Sequence, residues 1–325
     1  MTKKKSIFTQ EVIVAIVLVA LYVIFRLISA DFGKYTTFLS MMDISYYYAL
    51  MAIGVAFPLI TGGVDLSIGT GMICYALAGG ALIRFYNCPT GLAILVSILF
   101  GVGIGLANGV LIAIMGLPPF LATLCTCMIT RGLGSVVTGS FAIPWPTAKQ
   151  PNGWFHNIFK ITINLSSGKM KFPLGLIWII LLMLLMQFVL SHTRFGRYTI
   201  AIGSNKEAAI LSGINVKFYH VMVYVVSGLF AGLASIAYAA VIKTVQPGTG
   251  AGLELDAIGG AIVGGVSASG GYGSIVGTVL GAYTIIFLKQ GLPYIGFNAN
   301  MQQIITGFVL IGAVTIDIVK RKVIK

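Results

Sequence analysis

The sequence contains little charge. Only 9% of its 325 residues are charged, whereas soluble globular domains carry about 25%. Hydrophobic residues make up 58% of the chain, and the mean hydropathy is +0.98. A fold surrounded by water cannot bury this much apolar surface, so we expect lipid to be the main solvent. The scarcity of charge therefore excludes an ordinary soluble domain.

Residues that commonly carry catalysis or bind metals are also few. There are 8 acidic residues, 3 histidines and 4 cysteines. The histidines are far apart in the chain, and Cys125 and Cys127 have no second cysteine pair or histidine nearby, so no metal site is expected. The phosphate-binding pattern G-x-x-x-x-G-K-[ST] does not occur. We therefore predict no catalytic residue and no ATP hydrolysis by this chain itself.

Basic residues outnumber acidic ones and give a net charge of +13. They cluster at the termini and in loops, which in a membrane protein usually attaches loops to an anionic leaflet. No basic stripe with interleaved aromatic residues occurs. We therefore expect contact with membrane lipid and no binding of nucleic acid.

Long apolar runs are the main feature that the sequence does contain. A membrane-spanning helix needs roughly 20 apolar residues. The first run is long and is followed by Arg26 and Asp31, so it is interpreted as a retained span and not as a signal peptide. We predict an all-α integral membrane protein, a single transmembrane domain over residues 1–325, with about ten spans. The spans are placed at about residues 11–29, 43–60, 66–84, 91–115, 119–138, 173–191, 217–241, 256–268, 272–290 and 300–319.

Lysine and arginine indicate the orientation of the spans. Basic groups lie before the first span, after the last span, and between the sixth and seventh spans. Ten spans place all three groups on one side, which we expect to be the cytoplasm. Both termini and the segment 192–216 are then cytoplasmic. The connection at 139–172 lies on the extracytoplasmic face.

The two halves of the sequence are weakly similar. GVDLSIG (63–69) resembles ELDAIGG (254–260), and GLANG…GLP (105–118) resembles GTVLG…GLP (277–293). In the ten-span arrangement, the two members of each pair begin on opposite faces of the membrane. This is typical of inverted repeats, here relating spans 2–5 to spans 7–10.

Several glycines recur at intervals of four residues, which predicts close packing between helices in lipid. They are Gly101, Gly105 and Gly109, then Gly228 and Gly232, and finally Gly277 and Gly281.

Two carboxylates, Asp65 and Asp256, lie beside apolar runs. An ionisable group at membrane depth indicates function by default. It can instead cap the helix that follows, because its oxygens accept hydrogen bonds from the free N–H groups there. A structural cap is the favoured interpretation for both residues, and a role in a transport pathway stays open.

Spans five and ten contain candidates for a substrate pathway. Polar uncharged faces suit a neutral polyhydroxylated solute, and they suit hydrogen bonds between helices equally well. Arg131 could contact a substrate, pair with a carbonyl or carboxylate, or extend towards the interface. The candidate residues are Phe120, Thr123, Arg131, Asn298 and Gln302.

The segment SNKEAAILSG (204–213) is polar in an apolar chain. Ser204 and Glu207 match the S-x-x-E pattern of a capping box, and Gly213 is placed to end a helix. A helix of about eight residues is unstable alone in water. It must therefore pack either on the cytosolic surface of its own protein or in a groove of a partner.

Four stretches, in this order, together resemble the permease subunits of bacterial ATP-binding-cassette sugar importers of the ribose-permease type. The resemblance extends from about residue 40 to residue 320. The stretches are LITGGVDLSIGTG (59–71), NGVLIAIMGLPPFLATL (108–124), TRFGRYTIAIGSNKEAAILSGINV (193–216) and LELDAIGGAIVGGVSASGGYGSIVGTVLGA (253–282).

This resemblance implies a ten-helix fold with inverted halves, of the type II importer class. It implies a second permease subunit, two cytoplasmic ATP-binding subunits that use the ATP, and an extracytoplasmic sugar-binding protein. The chain itself would bind no cofactor. The segment 204–213 would be the coupling helix that contacts the ATPase. The implied coupling residues are Arg194, Phe195, Gly196, Arg197, Ser204, Asn205, Lys206, Glu207, Ala208, Leu211 and Gly213.

Two other functions remain compatible with the sequence. An ion-coupled secondary transporter could use Asp65 or Asp256 as its coupling carboxylate, because inverted repeats and glycine-broken helices occur in that class as well. A branched-chain amino-acid permease of the related importer group is the second alternative. The energy source would separate the first from a sugar importer, and the ligand of the binding protein would separate the second.

Overall fold

The computed structural model describes residues 10–165 and 168–324, which are mostly helical. The helices in these residues are α1 (Gln10–Ile28), α2 (Tyr35–Ile60), α3 (Ile68–Tyr86), α4 (Thr90–Ala113), α5 (Pro119–Thr138), α6 (His156–Phe159), α7 (Gly175–His192), α8 (Arg194–Ser204), α9 (Lys206–Leu211), α10 (Val216–Ile242), α11 (Leu253–Val263), α12 (Ile275–Gly291) and α13 (Ala299–Ile324). Short 3-10 helices lie at Ala30–Gly33, Pro151–Gly153 and Leu292–Ile295. The strands are β1 (Ile143–Pro144), β2 (Ile161–Leu165), β3 (Gly168–Phe172) and β4 (Thr244–Val245).

Each predicted span has a counterpart among these helices. Within the described residues, eight helices are long and apolar enough to cross a membrane. The predicted eighth span is α11, which has 11 residues. At 1.5 Å per residue it is only about 17 Å long and cannot cross a bilayer alone. The tenth is α13, which includes the apolar stretch Ala299–Thr315.

Two helices, α2 and α10, form the centre of the bundle. Nearly every residue of α2 from Ser45 to Ile60 is buried, and α10 is buried along most of its second half. In contrast, α1 and α7 expose most of their apolar side chains, as expected for helices that face lipid. The buried core therefore lies between the central pair and the helices packed against them.

Contacts between helices in one half of the chain have counterparts between the corresponding helices of the other half. Helix α4 packs on α10, and α12 correspondingly packs on α2. Helix α3 contacts α4, α5 and α10, while α11 contacts α12, α13 and α2. The central helices α2 and α10 also pack on each other. An inverted repeat that relates α2–α5 to α10–α13 requires this pattern, which supports the relation predicted from the sequence.

Glycines bring two pairs of helices into backbone contact. A Cβ atom at Gly101 of α4 would lie 2.4 Å from the carbonyl oxygen of Gly228 on α10. A Cβ atom at Gly264, beside α11, would lie 2.1 Å from the carbonyl oxygen of Gly277 on α12. Neither site has room for a side chain. The close packing predicted from the glycine spacing is therefore confirmed.

The long connection between α5 and α7 is folded onto the end of the bundle. Strand β1 pairs antiparallel with β4, which directly follows α10, and β2 and β3 form a hairpin. Trp145 is buried, and its Nε1 donates a hydrogen bond to the carbonyl oxygen of Ala76 at 3.0 Å. His156 Nε2 and the carbonyl oxygen of Pro146 are 2.8 Å apart. These contacts attach the connection to α3 and α10.

Candidate functional site

The segment between α7 and α10 forms two short helices, α8 and α9. Thr193 caps α8, because its Oγ1 accepts a hydrogen bond from the N–H of Gly196 at 3.3 Å. Gly196 lies against the last turn of α7, where a Cβ atom would be 2.1 Å from the carbonyl oxygen of Leu190. This glycine thus permits the sharp turn that folds α8 back onto the bundle.

Contacts at both ends of α8 attach it to the bundle. Near its start, the ring of Phe195 stacks on Phe57 of α2, with centroids 5.7 Å apart. At its end, the hydroxyl of Ser204 donates to the carbonyl oxygen of Gly271 at 3.3 Å. The N–H of Gly271 in turn donates to the carbonyl oxygen of Ile60 at 2.8 Å. Helix α8 is therefore joined to the last turn of α2 and to the connection between α11 and α12.

The N-terminal cap of α9 differs from the prediction. Asn205 is the N-cap, and its Oδ1 accepts a hydrogen bond from the N–H of Ala208 at 3.0 Å. Ser204 is the last residue of α8, so the capping box predicted for Ser204 and Glu207 is wrong. The backbone of Ser204 is already helical. An N-cap has an extended backbone, and the first extended residue here is Asn205, with φ −159°. Gly213, with φ +78°, follows the end of the helix as predicted.

One side of α9 is buried and its tip is exposed. Ala209 packs with Ile202 of α8 and Val216 of α10 in a small apolar cluster. Leu211 is 89% exposed, and Ile210 beside it is also exposed. The exposed residues that precede this tip are Lys206, Glu207 and Ala208. An apolar tip on a polar segment is typical of a contact with another protein.

The predicted coupling residues thus fall into two structural groups. One group positions the segment through buried or capping contacts: Phe195, Gly196, Ser204, Asn205 and Gly213. The other group is exposed on α8 and α9: Arg194, Arg197, Lys206, Glu207, Ala208 and Leu211. Arg197 also donates from Nη1 to the carbonyl oxygen of His192 at 3.3 Å. The exposed group is spread over α8 and α9, the segment that connects α7 to α10.

Asp65 is buried and bonded through both oxygens. Its Oδ1 accepts from the N–H of Ser67 at 3.0 Å and from the Ser67 hydroxyl at 2.6 Å. Its Oδ2 accepts from the hydroxyl of Ser227 on α10 at 2.7 Å. Asn108 of α4 donates to the Ser67 hydroxyl oxygen at 2.9 Å. The cap predicted for Asp65 is therefore wrong, because Ser67 is the N-cap of α3; Asp65 instead bonds that residue and joins it to α10.

Asp256 has a different role from the cap predicted for it. It is the fourth residue of α11, and its Oδ2 is 2.6 Å from the Nζ of Lys289 on α12. The N-cap position is Gly252, whose N–H donates to Oε1 of Glu254 at 2.9 Å. Asp256 therefore forms a largely buried ion pair between two helices, where an ammonium group balances its charge.

The three candidates in span five lie on two faces of α5. Thr123 is fully buried, and its hydroxyl donates to the carbonyl oxygens of Pro119 and Val64 at 2.8 and 3.2 Å. Phe120 and Arg131 are exposed. Arg131 is the thirteenth of the 20 residues of α5, so its guanidinium group starts well inside the helix. Of these three candidates, only Phe120 and Arg131 are accessible to a solute or to another subunit.

The two candidates in span ten contribute to the helix itself. Oδ1 of Asn298 accepts a hydrogen bond from the N–H of Met301 at 3.0 Å at the start of α13. The carbonyl oxygen of Gln302 accepts from the hydroxyl of Thr306 at 2.7 Å, and the Gln302 side chain is half-buried. The fold places α13 beside α11 and α12, whereas α5 packs on α3 and α4.

The groups that bond the two carboxylates were not evident from the sequence. Ser227 and Asn108 are small polar residues within apolar runs, and Lys289 lies near the end of predicted span nine. In the sequence, these residues were marked only by their polar type and by their position at membrane depth. Nothing in the spacing connects Ser227 to a carboxylate 162 residues earlier.

The bundle of apolar helices with a folded polar segment at one end is the architecture of a membrane permease component. Residues 37–314 match the family described as branched-chain amino acid transport system, permease component. The chain belongs to this family, which confirms the resemblance to importer permeases. Together, the family and the apolar helices define a multi-pass inner-membrane transport subunit.

Individual relatives cover most of both chains. The ribose import permease protein of Escherichia coli K12 is 33% identical, over 97% of this chain and 93% of the relative. The fructose import permease protein of Bifidobacterium longum is 32% identical, over 95% and 92%. The galactose/methyl galactoside import permease protein of Escherichia coli K12 is 33% identical, over 87% and 88%. No solved structure matches the chain.

Proposed function

We propose that the chain is the translocation subunit of an ATP-driven importer for a monosaccharide. The observation that carries this proposal is the apolar tip of α9, with Leu211 89% exposed on a segment that is otherwise anchored to the bundle. Such a tip, held in place by the rest of the segment, is suited to a contact with another protein. Relatives that share about a third of their residues with this chain are import permeases for ribose, fructose and galactose. The partner at α9 is then a separate ATP-binding subunit.

The attachment of α8 supports a mechanism for coupling. When two ATP-binding subunits approach each other, a subunit bound to α9 would move α8 and α9 together. Ser204 and Gly271 connect that movement to Ile60, the last residue of α2. Because α2 is one of the two central helices, its displacement would change access to a pathway through the bundle. The sugar would come from an extracytoplasmic binding protein at the opposite end.

The exposed face of α5 supports pairing with a second permease subunit. An arginine in the middle of a spanning helix is costly in lipid, and such residues almost always face a helix bundle or a water-filled cavity. Arg131 is exposed in the single chain. A second copy that packs against this face would shield it and place it beside a central pathway. We infer that α5 lines the contact between two copies of the chain.

Cross-linking tests this contact. Met128 lies on the exposed face of α5, and we expect Met128→Cys, in a Cys125→Ser background, to form a disulfide-linked pair in oxidised membranes. Leu99→Cys in the same background is the matched control, because Leu99 is also apolar and exposed but lies on α4. Denaturing gels without reductant should show a band at twice the chain mass for Met128→Cys only. Cross-linking through Leu99 alone would contradict the arrangement.

The contacts of the two carboxylates favour ATP over an ion gradient as the energy source. Both oxygens of Asp65 accept hydrogen bonds from neighbouring groups, and Asp256 is paired with Lys289. Each carboxylate thus already has protein partners, so neither needs a transported ion to complete its contacts. The named cargo of the relatives also favours a sugar over a branched-chain amino acid.

Reconstitution tests the energy source directly. In proteoliposomes that contain the chain, its ATP-binding subunits and its binding protein, we expect labelled monosaccharide uptake to require ATP on the side of α9. Uptake should persist after a protonophore and a sodium ionophore remove the ion gradients. Liposomes without ATP but with an imposed proton gradient serve as the control. Uptake in that control would reject the proposal in favour of a secondary transporter.

A further inference from the structure

A cluster of lysines surrounds one carboxylate at the end of the bundle opposite α9. Helix α10 begins next to α9, and its 27 residues extend for about 40 Å before Lys243. There, a cavity of about 280 Å³ is lined by Lys243, by Lys160 and Lys171 of the α5–α7 connection, and by Asp43 of α2. Lys160 forms an ion pair with Asp43. Lys171 and Lys243 therefore leave this cavity with an excess of two positive charges.

An apolar groove lies directly beside this cavity. It has a volume of about 260 Å³ and is formed by helices α2, α4, α7 and α10 together with the middle of the α5–α7 connection. Phe159 lines both the groove and the basic cavity, so the two spaces are adjacent. Trp154 and Trp178 line the groove and are each about half exposed. Tryptophans at this level are typical of the boundary between headgroups and hydrocarbon.

The depth of the groove matches the upper part of an acyl chain. Its lining extends from Gly175, the first residue of α7, to Leu182. Seven residues of helix correspond to about 10 Å below the helix end. The groove lies between spanning helices, so it faces the hydrocarbon of the bilayer. The basic cavity lies above it, among residues at helix ends and in the connection.

We propose that the two spaces form one binding site for an anionic phospholipid, with its phosphate among Lys171 and Lys243 and one acyl chain in the groove. Charge complementarity selects an anionic headgroup over a zwitterionic one, because Asp43 neutralises only Lys160. An acidic surface of a partner protein would use the lysines but not the groove. Free phosphate would not use the groove either. The shared wall at Phe159 therefore favours a lipid over both.

The test measures lipid retained by the purified chain. Native mass spectrometry of protein from nanodiscs containing phosphatidylglycerol and phosphatidylcholine in equal amounts should show selective retention of phosphatidylglycerol. In Lys171→Gln/Lys243→Gln, that selectivity should fall by about tenfold or more, since each lysine near an anionic headgroup contributes to attraction. Lys34→Gln/Arg84→Gln is the matched control, because it removes two exposed charges at the same end outside the cavity.

A second variant separates lipid from the other occupants. Leu182→Trp adds bulk in the groove without changing the charge, and it should reduce retention of phosphatidylglycerol while thermal stability in detergent is kept. Equal retention by the wild type and the double lysine variant would overturn the proposal. So would retention that inorganic phosphate displaces and Leu182→Trp leaves unchanged. Lysine variants that keep the lipid but lose stimulation by the binding protein would assign the cluster to protein docking instead.

Discussion

Replacing Leu211 by aspartate is expected to abolish sugar-stimulated ATP hydrolysis while the spanning helices stay folded. The wild-type side chain is 89% exposed, so the substitution removes almost no packing within the chain. In a complex, the same side chain would be buried against the ATP-binding subunit. Truncating a hot-spot residue of such a contact costs at least about 2 kcal/mol, or about 30-fold in affinity. A buried unpaired carboxylate adds a further penalty.

The measurement is made on the co-purified complex. Recovery of the ATP-binding subunits on a tagged permease, and ATP hydrolysis with and without sugar-loaded binding protein, should both fall to background for Leu211→Asp. Leu211→Met is the matched control and should keep both, because it preserves apolar contact area. The thermal unfolding temperature of the isolated permease should not change in either variant. Normal recovery and stimulation in Leu211→Asp would show that α9 is not the coupling contact.

Replacing Gly101 by valine is expected to prevent assembly of the bundle. The new Cβ atom would lie 2.4 Å from the carbonyl oxygen of Gly228, and backbone atoms of Gly232 are within 3.1 Å. No rotamer relieves a clash with backbone, so α4 would have to move away from α10, a central helix. Overpacking in a tight core typically costs about 1–3 kcal/mol. A side chain that clashes with the backbone of a neighbouring helix costs an amount at the upper end of this range or above it. The yield of monodisperse protein in detergent should fall sharply.

Gly103 on the same helix provides the control. A Cβ atom there would have no neighbour within 4 Å, so Gly103→Val places an apolar side chain in open space on the lipid-facing side. We expect wild-type yield and thermal stability for this variant. Equal loss in both variants would attribute the effect to helix propensity, and a stable Gly101→Val would mean that α4 and α10 are not in backbone contact.

The positions of the helices could be predicted from the sequence because apolar runs reflect contact with lipid directly. The exception is α11, where glycines extend the apolar run beyond Val263 although the helix ends there and the chain turns at Gly265, with φ +101°. Hydropathy measures the preference for lipid but does not show where a backbone turns. Buried chain that does not cross the membrane therefore has the same hydropathy as a span.

The contacts at the candidate site were harder to predict, because they depend on the fold of the whole chain. The polar character and the end of α9 were evident locally, from its charged residues and Gly213. The cap was misassigned because the rule for a capping box takes no account of α8, which already includes Ser204. The partner of Asp256 could not be identified from the sequence, since Lys289 becomes its neighbour only when α11 packs on α12.

The link from α8 to α2 has a consequence for how this transport machinery evolves. It passes through the carbonyl oxygens of Gly271 and Ile60 and the N–H of Gly271, so the side chain of Ile60 is not needed for it. Ser204 is constrained in type because its hydroxyl makes the first bond of the link, and Gly271, with φ +81°, because other residues rarely adopt that conformation. Substitutions around the end of α2 can therefore accumulate without breaking this link, as long as Ser204 and Gly271 are kept.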